Sequence, residues 1–373
     1  MKMKRISLTT ALLAAVVLTH PAWGQSASQT ESTDPELRAL EERIQRLESA
    51  EGRSGDDNHW TRRLSVYGVI EVEANYTQID AGDADADDED SSDIDLATVE
   101  LGVDAAIVDH LSGHMLFKYE DDDLFVDEGF ITISGSEDYP FYLIAGRQYL
   151  PFGRFDTHFI TDPETLVLGE TNDGALVAGY TFGKEWVDLS IGAFNGEVDE
   201  RDHDDTVDSF VAAVTANPLE GLAVGASYTS NLAASDAFSE MVDGPVDDLI
   251  GGWSVFATFT FMERFELIGE YVAALDHFAA GEVYADAGDN TERKPTAWNV
   301  EFGAMLMDDL EAAVRYGGSD DGGSDFLPES QYGVVVNWGV FDNTLLALEY
   351  LHDAFADDGP TRDTLTAQLA IEF

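Results

Sequence analysis

Arg147 and Arg154 bracket the start of a stretch, residues 149–174, whose other formal charges are all acidic: Asp156, Asp162, Glu164, Glu170 and Asp173. Cations and carboxylates spaced this way do not form a catalytic pair. Facing one another across a water-filled passage, they would impose a transverse field on passing solutes. Lys118 and Arg315 are the other cations that fall along the same path. Reaction chemistry has no comparable footing. The sequence has no nucleophile elbow, phosphate loop or HExxH motif, and with no cysteine it has neither thiol chemistry nor a disulfide framework. No cofactor is expected. His110 and His114 flank a turn, so they do not share a helical face as a metal pair would. Residues 80–95 hold nine acidic groups, but their spacing lacks the glycine and terminal glutamate of an EF-hand Ca²⁺ loop, which fits a solvated acidic loop.

The stretch 149–174 is rich in Phe, Leu and Ile, groups that a solvated loop does not need. A loop folded into a barrel needs them to pack against the wall; a loop packed over the mouth is the competing reading. Either way a wall is required. From Leu64 onward the side chains alternate with period two. The candidate strands are 64–76, 94–108, 113–120, 124–134, 140–149, 175–182, 187–195, 209–217, 222–230, 250–261, 265–274, 296–307, 310–316, 329–340, 344–352 and 361–373, sixteen in all. Their connections alternate between long and short, apart from 121–123. This is the pattern of outer-membrane barrels, with long outer loops and short periplasmic turns. The fold class expected is all-β: a sixteen-stranded antiparallel transmembrane β-barrel, with residues 149–174 as the third connection on the long-loop side.

The phase of the alternation separates the faces. Trp253, Val255, Ala257, Phe259 and Phe261 take one side of their strand; Val334, Val336, Trp338 and Val340 do the same. Glu100, Asp104, Lys118, Arg147, Asp188, Glu266, Glu270, Glu301, Arg315 and Glu349 are expected to face a wet interior. On the lipid face near the midplane a charge would cost about 2–4 kcal/mol. Sixteen strands leave an aqueous channel.

The remaining segments are read in order. Residues 1–24 resemble a secretory signal, with Lys2, Lys4 and Arg5 before an apolar run and a small-x-small site at Ala22-Trp23-Gly24. Residues 25–34 are a spacer. Residues 35–50 form a short periplasmic coiled-coil helix with Leu37, Leu40, Ile44 and Leu47 at 3,4,3 spacing, residues 51–63 a linker, and 64–373 the barrel. A helix this short is marginal alone in water, so a homo-oligomer is expected, most plausibly a trimer; packing on its own barrel is the alternative. The chain ends on Phe373, and a strand ending in Phe resembles the signal read by the barrel-assembly machinery. The partners expected are therefore the outer-membrane bilayer, that machinery and a small solute. With 19 Lys and Arg against 74 Asp and Glu, a formal net charge of −55, nucleic acid is excluded. The acidity fits adaptation to high salt or a cation-attracting pore.

A family resemblance rests on 101–104 (Leu-Gly-Val-Asp), 126–132 (Val-Asp-Glu-Gly-Phe-Ile-Thr), Pro151-Phe152-Gly153, and Asp162-Pro163-Glu164-Thr165 followed by Leu168-Gly169-Glu170-Thr171. These segments resemble the LbtU-type siderophore porins. The resemblance implies an outer-membrane porin importing a ferric siderophore without a plug domain. The acidity of the chain runs against many siderophores, which are anionic, and leaves a general or cation-preferring diffusion porin open. For the N-terminal segment, deleting residues 25–58 is expected to lower the temperature at which the oligomer dissociates on semi-native gels. An unchanged cross-linked species would show that the helix has another role.

Overall fold

The computed structural model describes residues 63–81, 89–120, 122–183, 185–201, 206–242, 244–284, 290–355 and 359–373. The expected signal, coiled coil and most of the linker lie outside these residues. Sixteen strands are present: β1 (Leu64–Asp80), β2 (Glu89–Val108), β3 (Leu111–Glu120), β4 (Asp123–Ser136), β5 (Tyr139–Tyr149), β6 (Asn172–Phe182), β7 (Val187–Phe194), β8 (Ser209–Leu219), β9 (Leu222–Thr229), β10 (Gly252–Phe261), β11 (Phe265–Ala274), β12 (Thr296–Met307), β13 (Leu310–Asp320), β14 (Ser330–Phe341), β15 (Thr344–Ala354) and β16 (Thr361–Glu372). Each pairs with its neighbours in sequence, and β1 pairs antiparallel with β16, so the sheet closes as an all-antiparallel barrel. Closure leaves no strand edge, the condition for crossing hydrocarbon. β1, β2 and β13 run four or five residues further toward the long-loop rim than the alternation indicated. There the acidic residues do not end a strand that still has a partner.

The outer face is apolar. On β14 Val334, Val336 and Trp338 are exposed while Val335 is buried, and on β15 Leu346, Leu348 and Tyr350 are exposed while Ala347, Glu349 and Leu351 are buried. Aromatic pairs mark both rims. Trp253 lies 5.3 Å from Tyr271 and Trp298 lies 4.8 Å from Tyr316 toward the long-loop side, and Phe259, Phe261, Phe265 and Phe302 form a chain toward the short-turn side. An apolar band between aromatic girdles is the surface that sits in the outer membrane.

Two short helices lie in the long connections, α1 (Glu164–Gly169) and α2 (Asp236–Ser239). The largest buried apolar cluster sits in the mouth of the barrel. Leu150, Phe152, Phe155, Leu166 and Leu168 join Leu232, Phe238, Val246, Phe278, Val283, Tyr284 and Leu327 from three other long connections. Phe238 lies 5.5 Å from Phe278 and 5.9 Å from Phe326. The loops beyond 149–174 are therefore not simply solvated, as their acidity suggested; a few aromatic residues hold them together.

Closure is completed at the short-turn rim. Phe373 N–H donates to Gly68 O at 3.1 Å and Gly68 N–H donates to Phe373 O at 3.0 Å. The Phe373 ring covers Gly68, where a Cβ would collide with it. Removing Phe373, or replacing Gly68 with Leu, is expected to reduce the heat-modifiable, folded fraction in outer-membrane preparations. Normal yields of both variants would overturn this account of closure.

Candidate functional site

Residues 150–171 enter the barrel and lie along its inner wall. The attachment is polar and repeats from strand to strand. Gly153 N–H donates to Ser227 Oγ of β9 at 2.8 Å. Arg154 and Phe155 N–H donate to the two oxygens of Glu270 on β11 at 2.8 and 2.7 Å. Asp156 accepts from Thr258 of β10 at 3.2 Å. Thr157 Oγ1 and His158 N–H donate to the two oxygens of Glu301 on β12, each at 2.7 Å. Asn337 of β14 donates to His158 O at 2.9 Å. Ile160 N–H and Thr161 Oγ1 donate to the two oxygens of Glu349 on β15, each at 2.6 Å. Arg315 of β13 binds Glu301 Oε1 at 2.9 Å, donates to Thr157 Oγ1 and stacks on the Phe159 ring at 4.3 Å.

Seven consecutive strands, β9 to β15, thus each supply a partner. Six inter-strand spacings span about 28 Å, and an extended chain covers at most ~3.3–3.6 Å per residue. The nine residues 153–161 follow this curved wall, turning at Phe155 (φ 56°) and bending over 158–161. They form neither helix nor strand; Phe159 N–H donates to Thr157 Oγ1 within the stretch at 3.0 Å, and most of the other amides are taken by the wall, chiefly by its carboxylates. The expectation of a wet interior needs correction for Glu270, Glu301 and Glu349. They are 6%, 0% and 1% exposed, beneath the loop rather than in the channel. Small wall residues make room: a Cβ at Gly303 would strike the His158 ring, one at Gly317 the Glu164 carboxylate, and one at Gly333 would meet Phe159 and Leu351.

The facing wall is different. Glu71, Glu73, Glu100, Asp104, Glu120 and Glu128 on β1–β4 are joined there by one basic side chain, Lys118, and by His114. Lys118 Nζ lies 2.9 Å from Glu120 Oε1. His114 bridges Asp104 at 2.7 Å and Glu128 at 3.4 Å. From the loop, Asp162 faces this wall. It is exposed to the lumen, yet protein encloses it at longer range, and that desolvation, partly offset by Arg315 and Lys118, pushes its carboxyl up to about 6. Burial raises Glu164 to about 7 and Asp236 to about 7, and Glu170 well above the usual carboxylate range. His158 loses charge stability by burial, but its 2.8 Å contact with Glu311 and the charges of Glu301 and Glu266 outweigh this and raise its pKa.

The sequence-selected residues therefore separate into three groups. Lys118, Asp162 and Glu170 stand together. Arg154 is held by Asp156 at 2.6 Å and lies over Phe256 at 5.4 Å, while Arg315, with Glu164 close by, is sealed under the loop. Arg147 is exposed and paired in register with Gly129 and Gly174. Alternation puts it with Phe141 and Ala145, opposite the buried Ile144 and Gln148, rather than on the interior register expected for it. Sequence reasoning took Glu270, Glu301 and Glu349 only as inward charges and did not single out Ser227, Asn337 or His158.

Comparison with known proteins follows this geometry. No family model matches the chain. Among solved structures, the outer membrane channel DcaP of Acinetobacter baumannii superposes with a TM-score of 0.61 at 15% identity, over 83% of this chain and 97% of that one. OmpF of Salmonella typhi, in complex with daunomycin, gives 0.61 at 14% identity with the same coverage. An anion-selective porin from Comamonas acidovorans gives 0.58 at 12%, over 83% and 99%. The fold is that of a porin. In sequence the chain is similar to a UPF0422 protein of Coxiella burnetii (strain RSA 493 / Nine Mile phase I), 28% identical over 262 residues, 65% of this chain and 55% of that protein. A UPF0422 protein of Legionella pneumophila subsp. pneumophila is 22% identical over 329 residues, 74% and 60% respectively. The chain spans little more than half the length of these curated relatives.

The loop's attachment can be tested at its centre. Glu301→Ala leaves Arg315 buried without its counter-charge, at a cost of about 3–5 kcal/mol, and releases Thr157 and His158. A lower unfolding temperature and a larger, noisier single-channel current are expected. Unchanged current with lowered stability would show that the contact braces the wall without setting the passage.

Proposed function

We propose that this barrel is a diffusion porin of the outer membrane that prefers cations and whose passage is narrowed by residues 150–171. The carrying observation is the charge of the two surfaces that face each other. Glu71, Glu100, Glu120 and Asp127 stand on the wall and Asp162 and Glu170 on the loop, with Lys118 as the one lysine or arginine in β1–β4. A ring of carboxylates in a confined, low-dielectric passage concentrates cations and repels anions.

Uptake of a ferric siderophore through the same passage is the finer reading that the resemblance to LbtU-type porins supports. The charges restrict it. Arg154 and Arg315 are already engaged by acids, and Arg147 is off the inward register, so no cluster of free arginines receives a polyanion. A siderophore passing here would be neutral or cationic. A homo-oligomer, most plausibly a trimer through Leu37, Leu40, Ile44 and Leu47, remains part of the proposal, as does recognition of Phe373 by the assembly machinery.

The test is the reversal potential in planar bilayers under a KCl gradient. Cation preference is expected at pH 8. Asp162, pushed up to about 6, loses its charge as pH falls through that value. The preference should therefore weaken between pH 8 and pH 5. Anion preference at pH 8 would overturn the reading. Growth on low iron with an anionic ferric siderophore, abolished by Arg147→Glu with Arg154→Glu, would favour the siderophore reading against the charge argument.

A further inference from the structure

Between the internal loop and the short turn joining β8 and β9 lies a cavity of about 440 Å³. Small-molecule sites run from roughly 300 to 1,000 Å³. Its lining carries one cationic side chain, Arg154, and two carboxylates, Glu220 and Glu266, with the hydroxyls of Thr258 and Thr260 on β10.

Asp156 engages Arg154 only in part. Nε alone donates to it, at 2.6 Å, and the Arg154 side chain stays 39% exposed. Among the described residues neither terminal amino group of Arg154 has a hydrogen-bond partner. A guanidinium has five N–H donors in a rigid fork, so four remain, in the geometry that takes a carboxylate bidentately. The Phe256 ring backs the group, 5.4 Å from its central carbon. Glu266 lies further along the same wall. It pairs with Thr260 in register and accepts from its Oγ1 at 2.9 Å.

The spacing of these charges limits what fits. Arg154 lies over Phe256, and its partner Asp156 accepts from Thr258, while Glu266 stands at Thr260. Two to four residues of β10 therefore separate cation from carboxylate, about 7–14 Å along the strand. An extended peptide of the same number of residues spans the same length. An α-amino acid carries both charges on one carbon and does not. A simple anion reaching Arg154 meets Asp156, Glu220 and Glu266 as well, and a simple cation leaves the guanidinium fork unanswered.

We propose that this cavity binds short zwitterionic peptides on their way through the pore, the terminal carboxylate on the Arg154 fork and the terminal ammonium toward Glu266. Conduction requires binding weak enough to release, which a site open to the lumen provides. The proposal rests on the reading of the barrel as a pore narrowed by residues 150–171. It does not rest on the cation preference, which the reversal potential measures with no peptide present, so the two fail separately.

The experiment records K⁺ current through the full-length protein in planar bilayers at pH 7, where a peptide carboxyl is ionised and most α-amino groups are protonated. Triglycine added to either side is expected to interrupt the current in a concentration-dependent way. Glycine, triglycine amide and N-acetyl-triglycine each lack the spacing or one of the charges and are expected to need about tenfold more. Arg154→Gln is expected to raise the half-blocking concentration of triglycine about tenfold and to leave that of the amide unchanged. Glu266→Gln is expected to raise that of triglycine and to leave that of N-acetyl-triglycine unchanged; either variant decides the matter if the other does not assemble. No block by triglycine, block by all four compounds at one concentration, an unchanged half-blocking concentration in an assembled variant, or a uniform shift for all compounds, as a displaced loop would cause, would each overturn the proposal.

Discussion

Every backbone amide in this molecule has to find a partner where water does not reach, and that requirement acts twice. In the bilayer it closes sixteen strands into a ring, down to the pair of hydrogen bonds between Gly68 and Phe373. Inside the ring it acts on residues 153–161, which form neither helix nor strand and turn most of their N–H groups to the wall. Glu270, Glu301 and Glu349 answer by each accepting two donors from adjacent or nearly adjacent loop residues. Buried carboxylates are costly unless hydrogen-bonded; here the amides that need acceptors and the acids that need donors resolve each other's burial. The position of the loop, and with it the opposition of Asp162 and Lys118, follows from that pairing.

Much of this was legible in the sequence. All sixteen strands could be placed because one face of each must be apolar for lipid, and period two is hard to mimic over ten residues. The unusual loop was visible because Phe152, Phe155, Phe159, Leu166 and Leu168 are out of place in solvent. What could not be read was which inward charge meets water and which meets protein. Alternation says only that Glu301 and Glu100 point inward; the loop covers the first and leaves the second on the passage. Arg147 was misphased for a related reason. In β5 Phe141, Leu143 and Ala145 are apolar on one face and Ile144 on the other, so the pattern carries no clear phase. The mouth cluster of Phe238, Phe278, Tyr284 and Phe326 escaped notice because single aromatics are diluted among acids in their loops.

The acidity of the chain has two components that respond to different conditions. Exposed carboxylates on the outer loops repel one another and are screened by salt within about a Debye length, ~10 Å at 0.1 M. Those facing the passage are enclosed, and enclosure rather than neighbouring charge is the leading cause of the raised pKa of Asp162 and Glu170. Salt therefore moderates the first population more than the second, and proton concentration does the reverse.

The loop's fastening to seven consecutive strands also has a mechanical side. A cylinder under the lateral pressure of a bilayer resists flattening only as well as its weakest arc. Between β9 and β15 an internal strap ties strand to strand across their hydrogen-bond ladders, anchored at Ser227, Glu270, Glu301 and Glu349. The arc from β16 through β4 has no such strap among the described residues. Membrane tension would then ovalise the cylinder chiefly at the unbraced arc, where the acids and Lys118 stand, while the braced half holds its shape.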